Sequence, residues 1–547
     1  MTPPFRPLLL LAVAALPWAV GLGNELPDVD PAQYADVARL IVRDGSWLAL
    51  RDSTGPFVNK PPLAIWAQAL AISVLGATSV AARLPSLLFA LLAAGGTFLL
   101  GRALFDSTRG AIAVCLFAAS VAVQQMVADP KVDLALTAMA TLSLWAFVEG
   151  RARPGFVWWG WLFAGLAVLA KGPLGLALPA CAILPEAVRH AWGRAQQGSL
   201  RERLFALKPV RGTLIVLAIA APYYGAVYQR DGADGALFVL WQQNIGRLFG
   251  QSGYSNDTTP LFFLHTALWV FLPFTPLLIL AFVERARRVR ALPPSEPRVI
   301  SWGFWIPFAA FSLSTYKLPQ YIYCLAPCAA LLAADAVCSL SAVASRRARL
   351  AMTAGGTAAG GLTALLLFGA FPPSSLALAG AASLGALAVP FALLWLTRQW
   401  GAPWQLTATC VAALASFHLV WSAWLAPAAT AFQAGKALAD RARIEDPRAA
   451  LLPFIDVAPT FAASYYLDRH TAQIGLDELA AHVRADRLSL AVVADGAWPD
   501  FASVGLTAEP VATFSSFPTS RPTFGFLRAS TRPAHLQWRA LVRLKAP

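Results

Sequence analysis

The sequence predicts an all-α protein that crosses a membrane many times and ends in a small α/β domain. Of its 547 residues, 57% are hydrophobic and only 13% are charged, and the mean hydropathy is +0.58. Soluble proteins usually carry about 25% charged residues. Several apolar runs approach the roughly 20 residues that an α-helix needs to span a bilayer. From about residue 430, short β-type runs such as "LLPFIDVA" and "SLAVVADG" alternate with amphipathic stretches, a pattern typical of an α/β domain.

The positive charge of the chain lies mainly in short loops between the apolar runs. The net charge is +14, and the arginine-rich clusters occupy residues 151–154, 201–211, 284–290 and 345–350. Loops of this kind are cytoplasmic under the positive-inside rule, whereas a nucleic-acid-binding protein gathers its cations on one soluble domain. No nucleic-acid partner is therefore expected. All six cysteines lie in or beside apolar runs, which is typical of small core residues and not of a disulfide framework or a metal site.

One threading of the apolar runs through the membrane places all the arginine-rich loops on the same side. The first run, about 7–22, is interpreted as an uncleaved helix with its N-terminus inside, followed by an outer loop at 23–81. In that loop "QYADVARLIVRDGSWL" has helical amphipathic spacing, and run 62–76 is short for a span, so both are expected at the membrane surface or re-entrant. The remaining predicted spans are 82–101, 110–127, 134–149, 155–170, 174–188, 212–228, 260–283, 299–313, 321–342, 352–371, 375–396 and 405–426.

This threading predicts about 13 transmembrane helices in residues 1–428, with residues 429–547 forming the α/β domain outside. It also collects polar residues from distant loops at the outer face, opposite the arginine-rich loops. They are Asp28, Asp30, Lys60, Asp129, Lys131, Asp133, Lys171, Asn244, Arg247, Tyr254, His265, Lys317 and Tyr321. Acidic residues interleaved with lysines at a membrane surface suit a site for an anionic headgroup.

Each of these residues also has an ordinary structural interpretation. Asp133 before an apolar run is typical of a helix cap, and a single interfacial lysine such as Lys60 or Lys171 often only anchors a helix. The repetition of lysine before proline, in "NKPP", "KGP" and "YKLP", favours a functional role. Proline fixes the start of a helix whose free amides then lie near the ammonium, and the two together bind anions. The residues alone thus predict an outer-face site for an anionic, lipid-borne group.

Four motifs in order resemble one family of membrane enzymes. They are "DPAQYADVARLIVRDGSWL" from Asp30, "FVNKPPLAIW" at 57–66, "AKGPLGLALP" at 170–179 and "SLSTYKLPQYIYCLAP" at 312–327. They resemble the motifs of the GT-C glycosyltransferases that use polyprenyl-phosphate sugars, above all the aminoarabinose transferase (ArnT-like) family, glycosyltransferase family 83, which is related to the protein O-mannosyltransferases. The resemblance covers residues 1 to about 345 and extends beyond them only in architecture. Asn59 stands where that family commonly has Glu.

The resemblance implies a GT-C fold and a role for each candidate residue. Asp30 is then the first-loop acid near acceptor and sugar, and Asp133 the second acid, with Asp129 as the alternative. Lys60 is expected to contact the donor phosphate, and the other donor-phosphate candidates are Lys171, Arg247, Lys317 and Tyr321.

The implied reaction transfers a sugar from undecaprenyl phosphate to a periplasmic acceptor at the bacterial inner membrane. Lipid A is the expected acceptor, through 4-amino-4-deoxy-L-arabinose-type transfer, and a protein or another envelope glycan is the alternative. A transporter or flippase of lipid-linked sugars is the competing class, but transporters usually show inverted repeats and midplane sites. No cofactor is required by the sequence. A divalent metal between two aspartates stays open, although no His/Asp spacing demands one.

Overall fold

The structure, a computed structural model, describes residues 5–192, 199–251, 256, 258–288, 298–487, 489–517 and 523–546. It consists of a large helical body followed by a small mixed sheet, so the predicted fold class is confirmed in outline. The first part of the body contains nine helices: α1 (Phe5–Gly21), α2 (Asp30–Asp44), α3 (Leu63–Leu75), α4 (Ser79–Leu104), α5 (Ser107–Ala119), α6 (Val121–Ala128), α7 (Asp133–Glu149), α8 (Phe156–Lys171) and α9 (Leu174–Trp192). A two-residue hairpin, β1 (Arg51–Asp52) and β2 (Gly55–Pro56), lies between α2 and α3.

The second part of the body is also helical. Its helices are α10 (Leu200–Ala206), α11 (Pro209–Leu237), α12 (Gly246–Leu248), α13 (Phe262–Val270), α14 (Thr275–Arg288), α15 (Val299–Leu313), α16 (Ala326–Ser339), α17 (Ala342–Leu365), α18 (Leu376–Leu396), α19 (Ala402–Val420) and α20 (Ala426–Thr430). Wider π-helical turns occupy Phe238–Ile245, Leu366–Ala370 and Trp421–Leu425, and a 3₁₀ helix occupies Pro319–Leu325.

The C-terminal part contains a five-stranded sheet. Its elements are α21 (Gly435–Glu445), β3 (Leu451–Phe454), α22 (Phe461–Leu467), β4 (His470–Gln473), α23 (Leu476–Arg484), β5 (Leu490–Ala494), β6 (Thr507–Ser516), α24 (Phe524–Leu527) and β7 (Gln537–Lys545). The strand order is β4-β3-β5-β7-β6, with β3 parallel to β4 and β5, and β7 antiparallel to β5 and β6. The two runs interpreted as strands, "LLPFIDVA" and "SLAVVADG", supply β3 and β5, which confirms that interpretation.

Two of the predicted spans are each broken into two helices. The run 110–127 divides at Ser120 into α5 and α6, which are bent by 56°. Ser120 accepts a hydrogen bond from the Val123 backbone amide and so caps the new helix. The run 260–283 divides into α13 and α14 around "FLPFTP", because prolines lack the amide that a continuous helix needs. Both single-helix predictions were therefore wrong.

The chain is a multi-pass membrane protein. Among the described residues, six helical segments are long and apolar enough to cross a membrane, or seven if the bent pair α5–α6 is one span. Four further apolar helices, α1, α3, α8 and α15, have 10–17 residues. The count of about thirteen spans and their orientation stay predictions.

The helical body is assembled around α7, of which nearly every residue is buried. It packs against α4, α8 and α9. Small residues permit close helix approach nearby: a Cβ on Gly101 of α4 would lie 2.7 Å from the Gly110 Cα of α5. Helix interfaces inside membranes commonly use glycine in this way.

We expect Gly101→Ala to destabilise the protein, because the new methyl group meets backbone that cannot move aside. The expected cost is about 1–3 kcal/mol, as for other overpacked core positions. Thermal unfolding of the detergent-solubilised protein measures it. Gly95→Ala in the same helix is the matched control, because a Cβ there meets nothing within 4 Å. Equal unfolding temperatures for the two variants would contradict the close α4–α5 contact.

Candidate active site

Three carboxylates lie at neighbouring element ends. Asp30 is the first residue of α2, Asp129 follows the last residue of α6, and Asp133 is the first residue of α7. A carboxylate in the first turn of a helix is favoured by the positive end of the helix dipole. The "ADPKVD" segment turns tightly between α6 and α7, so it presents Asp129 and Asp133 from one short loop.

Asp133 pairs with a lysine from the next helix. Its carboxylate accepts a short hydrogen bond from the Lys171 ammonium, and both side chains are largely buried. Lys171 is the last residue of α8, where the helix dipole favours a cation. The same ammonium lies 5.4 Å from the centre of the Tyr321 ring, within the range of a cation–π contact.

Lys131 joins the other two carboxylates. Its ammonium lies 2.8 Å from Asp129 Oδ2 and 3.4 Å from Asp30 Oδ2. Burial raises the pKa of Asp129, and Lys131 opposes that rise. Burial alone would lower the pKa of Lys131, but Asp129 and Asp30 hold it above its usual value, so the ammonium stays charged. The Asp30 side chain is 48% exposed, which makes it the most accessible of the three carboxylates.

Lys60 lies in the short segment between the β1–β2 hairpin and α3. Pro61 and Pro62 follow it directly, and α3 begins at Leu63. Phe57, three residues earlier, packs edge-on against Tyr34 of α2 with ring centres 5.9 Å apart. The Tyr223 hydroxyl donates to the Lys60 carbonyl at 3.4 Å. These contacts hold the segment, so the "KPP" motif fixes the backbone immediately before α3.

The Lys60 ammonium faces a neutral amide and other cations. It donates to Gln243 Oε1 at 3.4 Å. Burial, together with the nearby Arg247 and Lys171, lowers the pKa of Lys60 to about 7, although Asp133 and Asp30 act in the opposite direction. An anion placed between these cations would restore the charge of Lys60.

Arg247 completes the cationic side of the cluster. Its Nη1 donates to the Tyr321 hydroxyl at 2.8 Å, and its Nη2 donates a short hydrogen bond to Gln243 Oε1. The guanidinium also lies 5.5 Å from the centre of the Tyr316 ring. Gln243 therefore accepts from both Lys60 and Arg247 and fixes their separation.

The structure brings most of the predicted site residues together. The charged cluster comprises Asp30, Asp129, Lys131, Asp133, Lys171, Lys60 and Arg247, with Tyr321 at its edge. Lys317 has other neighbours: its ammonium donates to the Thr258 carbonyl at 3.3 Å and to the Thr258 hydroxyl at 3.4 Å. Tyr254 and the Asn244 side chain lie outside the described residues.

Two residues of the site, Gln243 and Lys131, were not among the candidates for catalysis or phosphate binding. Gln243 is one of three consecutive amide residues in "WQQNIGRLFG", four positions before Arg247, and that polar stretch was the available signal. Lys131 stood among the outer-face residues, and its position between Asp129 and Asp133 in "ADPKVD" was the available signal.

A different set of charges lies near the beginning of the bent pair α5–α6, whose other end leads to Asp129. Asp335 of α16 accepts from Arg109 of α5 at 3.1 Å and from Arg285 of α14 at 2.8 Å. These ion pairs line a cavity of about 670 Å³. α5–α6 begin there and end at Asp129, so the cavity and the charged cluster lie at opposite ends of the helical body. Asp335, an acid within a predicted span, thus joins three helices.

Within the part of the chain that the structure describes, no three His, Cys, Asp or Glu side chains are grouped so that they could hold a metal ion. Between Asp30 and Asp129 the countercharge is the Lys131 ammonium.

Sequence comparison supports the resemblance seen in the motifs. The family described as dolichyl-phosphate-mannose-protein mannosyltransferase matches residues 59–224. An undecaprenyl phosphate-alpha-4-amino-4-deoxy-L-arabinose arabinosyl transferase of Pseudomonas aeruginosa (strain LESB58) is 30% identical over 338 residues, which cover 59% of this chain and 58% of that protein. The chain thus matches less than two thirds of the length of its curated relatives.

Comparison of structures extends the similarity to the whole chain. The crystal structure of ArnT from Cupriavidus metallidurans bound to undecaprenyl phosphate matches with a TM-score of 0.76 and 20% identity, covering 99% of this chain and 98% of that one. The archaeal oligosaccharyltransferase AglB from Archaeoglobus fulgidus matches with a TM-score of 0.50 and 13% identity, covering 90% and 69% of the two chains. The chain therefore has the GT-C fold, as the motif resemblance implied.

We expect the Lys60 amine to become reactive near pH 7, because its ammonium loses its proton there. Acylation of the detergent-solubilised protein at a series of pH values, followed by peptide mass spectrometry, measures this. Arg247→Gln removes a neighbouring cation and is expected to move the half-reaction point of Lys60 to higher pH, whereas Asp133→Asn moves it to lower pH. The exposed Lys545 serves as the reference. A Lys60 profile that both substitutions leave unchanged would contradict the electrostatic coupling in the cluster.

Proposed function

We propose that this ArnT-like chain of the GT-C fold is an integral-membrane glycosyltransferase. It moves a sugar from an undecaprenyl phosphate carrier to an acceptor outside the membrane. The proposed acceptor is lipid A, modified with a 4-amino-4-deoxy-L-arabinose-type sugar. The similarity to arabinosyl transferases in sequence and the match to ArnT in fold support this assignment.

The observation that carries the proposal is the convergence of Lys60, Arg247 and Lys171 beside Asp133. Transfer breaks the bond between the anomeric carbon of the sugar and a phosphate oxygen. The phosphodiester, with one negative charge, becomes a monoester that carries a further negative charge. Cations held in position stabilise that charge as it develops in the transition state, which is a major source of rate enhancement. Tyr321 supports Arg247 and lies over Lys171 at the same place.

The carboxylates take complementary roles in this proposal. Asp30 is the exposed member of the cluster, so it faces the acceptor and accepts the proton of an acceptor hydroxyl. With an ionised phosphate as acceptor no base is needed, and Asp30 instead orients the acceptor or binds the amino group of the sugar. Asp133 keeps Lys171 charged and in place. Asp129, which does the same for Lys131, is the alternative second acid.

Lys317 acts less directly in the proposal. The hydroxyls of Ser314 and Thr315, in the same loop as Lys317, donate to the Arg247 carbonyl at 3.0 and 2.9 Å. By anchoring this loop to Thr258, Lys317 supports the position of Arg247.

The proposal also assigns a location and a division of the chain. Residues 1–428 form the catalytic membrane domain in the bacterial inner membrane, and residues 429–547 form a domain in the periplasm. The loop 23–81 and the charged cluster face the periplasm as well, where undecaprenyl-linked sugars and envelope acceptors meet.

We expect Lys60→Met to lower glycosyl transfer by about 10²–10³-fold, as when a preorganised donor to a transition-state charge is removed. Asp30→Asn is expected to lower it by about 10²-fold or more if the acceptor is a hydroxyl. Purified protein with undecaprenyl phosphate-linked sugar and lipid A measures the rate.

Lys545→Met is the matched control for these variants, because Lys545 forms an exposed ion pair with Glu509 at 2.9 Å in the C-terminal part. It is expected to keep the wild-type rate. Full activity of the purified Lys60→Met protein would refute the phosphate-binding assignment.

The acceptor is tested by mass spectrometry of the envelope. We expect lipid A from cells that express the chain to gain the mass of the sugar, and lipid A from cells with Lys60→Met to lack it. Modification of a periplasmic protein or of another glycan in place of lipid A would refute the lipid A assignment and leave the glycosyltransferase standing.

A further inference from the structure

The segment that leads into Asp30 is held by a helix from the far end of the chain. The Ala462 backbone amide, in the first turn of α22, donates to Asp28 Oδ1 at 3.0 Å. The Leu26 backbone amide donates to the Tyr466 hydroxyl of α22 at 2.8 Å. Contacts from α22 therefore fall two and four residues before Asp30.

A buried polar network holds the same helix α2 on the other side of Asp30. Asp36 and Arg39 are 0% and 3% exposed, although each carries a charge. Asp36 Oδ1 accepts from Arg39 Nη2 at 2.8 Å and from the Ser464 hydroxyl of α22 at 2.8 Å. Arg39 in turn donates to Asp468 at 2.9 Å. Buried charges are tolerated only where such partners satisfy them, so α2 and α22 must keep one relative position.

The network extends to the body of the protein. The Tyr466 hydroxyl also shares a hydrogen bond of 2.7 Å with Ser79 at the start of α4, and the Tyr465 hydroxyl donates to the Thr78 carbonyl at 2.9 Å. Arg83 of α4 donates to the Glu25 carbonyl at 2.8 Å and to the Ala128 carbonyl, directly before Asp129, at 3.1 Å. The loop before Asp30 and the end of α6 are thus held to one helix.

We propose that α22 is a positioning element that completes the site from outside the membrane domain. By holding α2 on both sides of Asp30, it fixes the Asp30 carboxylate relative to Lys131 and Asp129. Ser464 and Tyr466 are positioning residues, since their contacts reach the site only through α2 and the loop before it. This inference rests on the proposed function for its effect on catalysis, but the contact between α22 and α2 is independent of it.

The proposal separates two sides of the site. The residues that form the phosphate side, Lys60, Gln243 and Arg247, are held by contacts with Tyr223, Tyr321 and Ser314. None of these three contacts involves a residue of α22. Phe57 of the Lys60 segment does pack against Tyr34 of α2, but no hydrogen bond named above joins Lys60, Gln243 or Arg247 to α22. Loosening α22 should therefore displace Asp30 on the acceptor side more than it disturbs the binding of the carrier phosphate.

The test uses Ser464→Ala and Tyr466→Phe in the full chain, each of which removes one hydroxyl and keeps the rest of the side chain. Ser503→Ala is the matched control: its hydroxyl donates to the nearby Asp500 carbonyl at 2.6 Å, in an exposed turn of the same C-terminal part. Hydrogen–deuterium exchange is followed for residues 26–44 and, as an internal reference, for residues 133–149. The rate of transfer and the affinity for undecaprenyl phosphate are measured on the same preparations.

We expect faster exchange at residues 26–44 in both variants, with unchanged exchange at 133–149. The turnover number should fall by roughly 10- to 100-fold, because a displacement of about 1 Å of a reacting group has an effect of this size. Affinity for undecaprenyl phosphate should stay within about twofold of the wild type, and Ser503→Ala should match the wild type in every measurement. This division between turnover and carrier binding is not expected from a general loss of folding.

Unchanged exchange at residues 26–44 in both variants would overturn the inference. So would equal losses of turnover and carrier affinity, because α22 would then support the whole fold and not Asp30. If exchange rises as expected but the wild-type protein transfers no sugar, the proposed function fails while the hold of α22 on α2 stands.

Discussion

Pairing of opposite charges at the membrane boundary is the constraint on which the site depends. A lysine buried among apolar helices loses its proton unless a carboxylate stabilises it. Asp133 does this for Lys171, and Asp129 with Asp30 does it for Lys131. Lys60 differs, because its ammonium donates a hydrogen bond to the neutral Gln243 amide and its pKa falls to about 7. Lys60 is thus the lysine whose positive charge is least stabilised by carboxylates, and the phosphate of the proposed donor would stabilise that charge.

Much of the fold could be predicted from composition and hydrophobic pattern. The amphipathic spacing of "QYADVARLIVRDGSWL" gave α2 in nearly its true place, and the apolar run 62–76 gave α3. The pattern failed where a local residue overrode it, as at Ser120 between α5 and α6 and at the prolines between α13 and α14. An apolar run indicates which residues are buried away from water. It does not indicate where a capping side chain or a proline without an amide ends a helix.

The site could be predicted in part, for reasons visible in its residues. Lys60, Lys171 and the three aspartates stand in motifs beside the apolar runs. Their spacing and their shared predicted face of the membrane allowed them to be predicted as site residues. Gln243 was not predicted, because the amides of "QQN" carry no charge that would assign one of them to the support of Lys60 and Arg247. The hydrogen bonds between α22 and α2 could not be predicted either. Ser464 and Tyr466 lie in a short stretch whose spacing indicates only a buried helix. Contacts across such distances in the chain depend on tertiary packing.

The hydrogen bond between Asp36 and Ser464 joins residues 428 positions apart. Ribosomes add roughly 5–20 residues per second, so Asp36 is made roughly 20–90 s before its partner. During that interval Asp36 and Arg39 of α2 can pair with each other, but they lack the Ser464 hydroxyl and the Asp468 carboxylate that complete their contacts. The geometry around Asp30 therefore reaches its final form only after Ser464, in the last sixth of the polypeptide, has been made. In the proposed reaction, the residues that bind the carrier phosphate are therefore made first, and the contacts that hold Asp30 in place are completed late in synthesis.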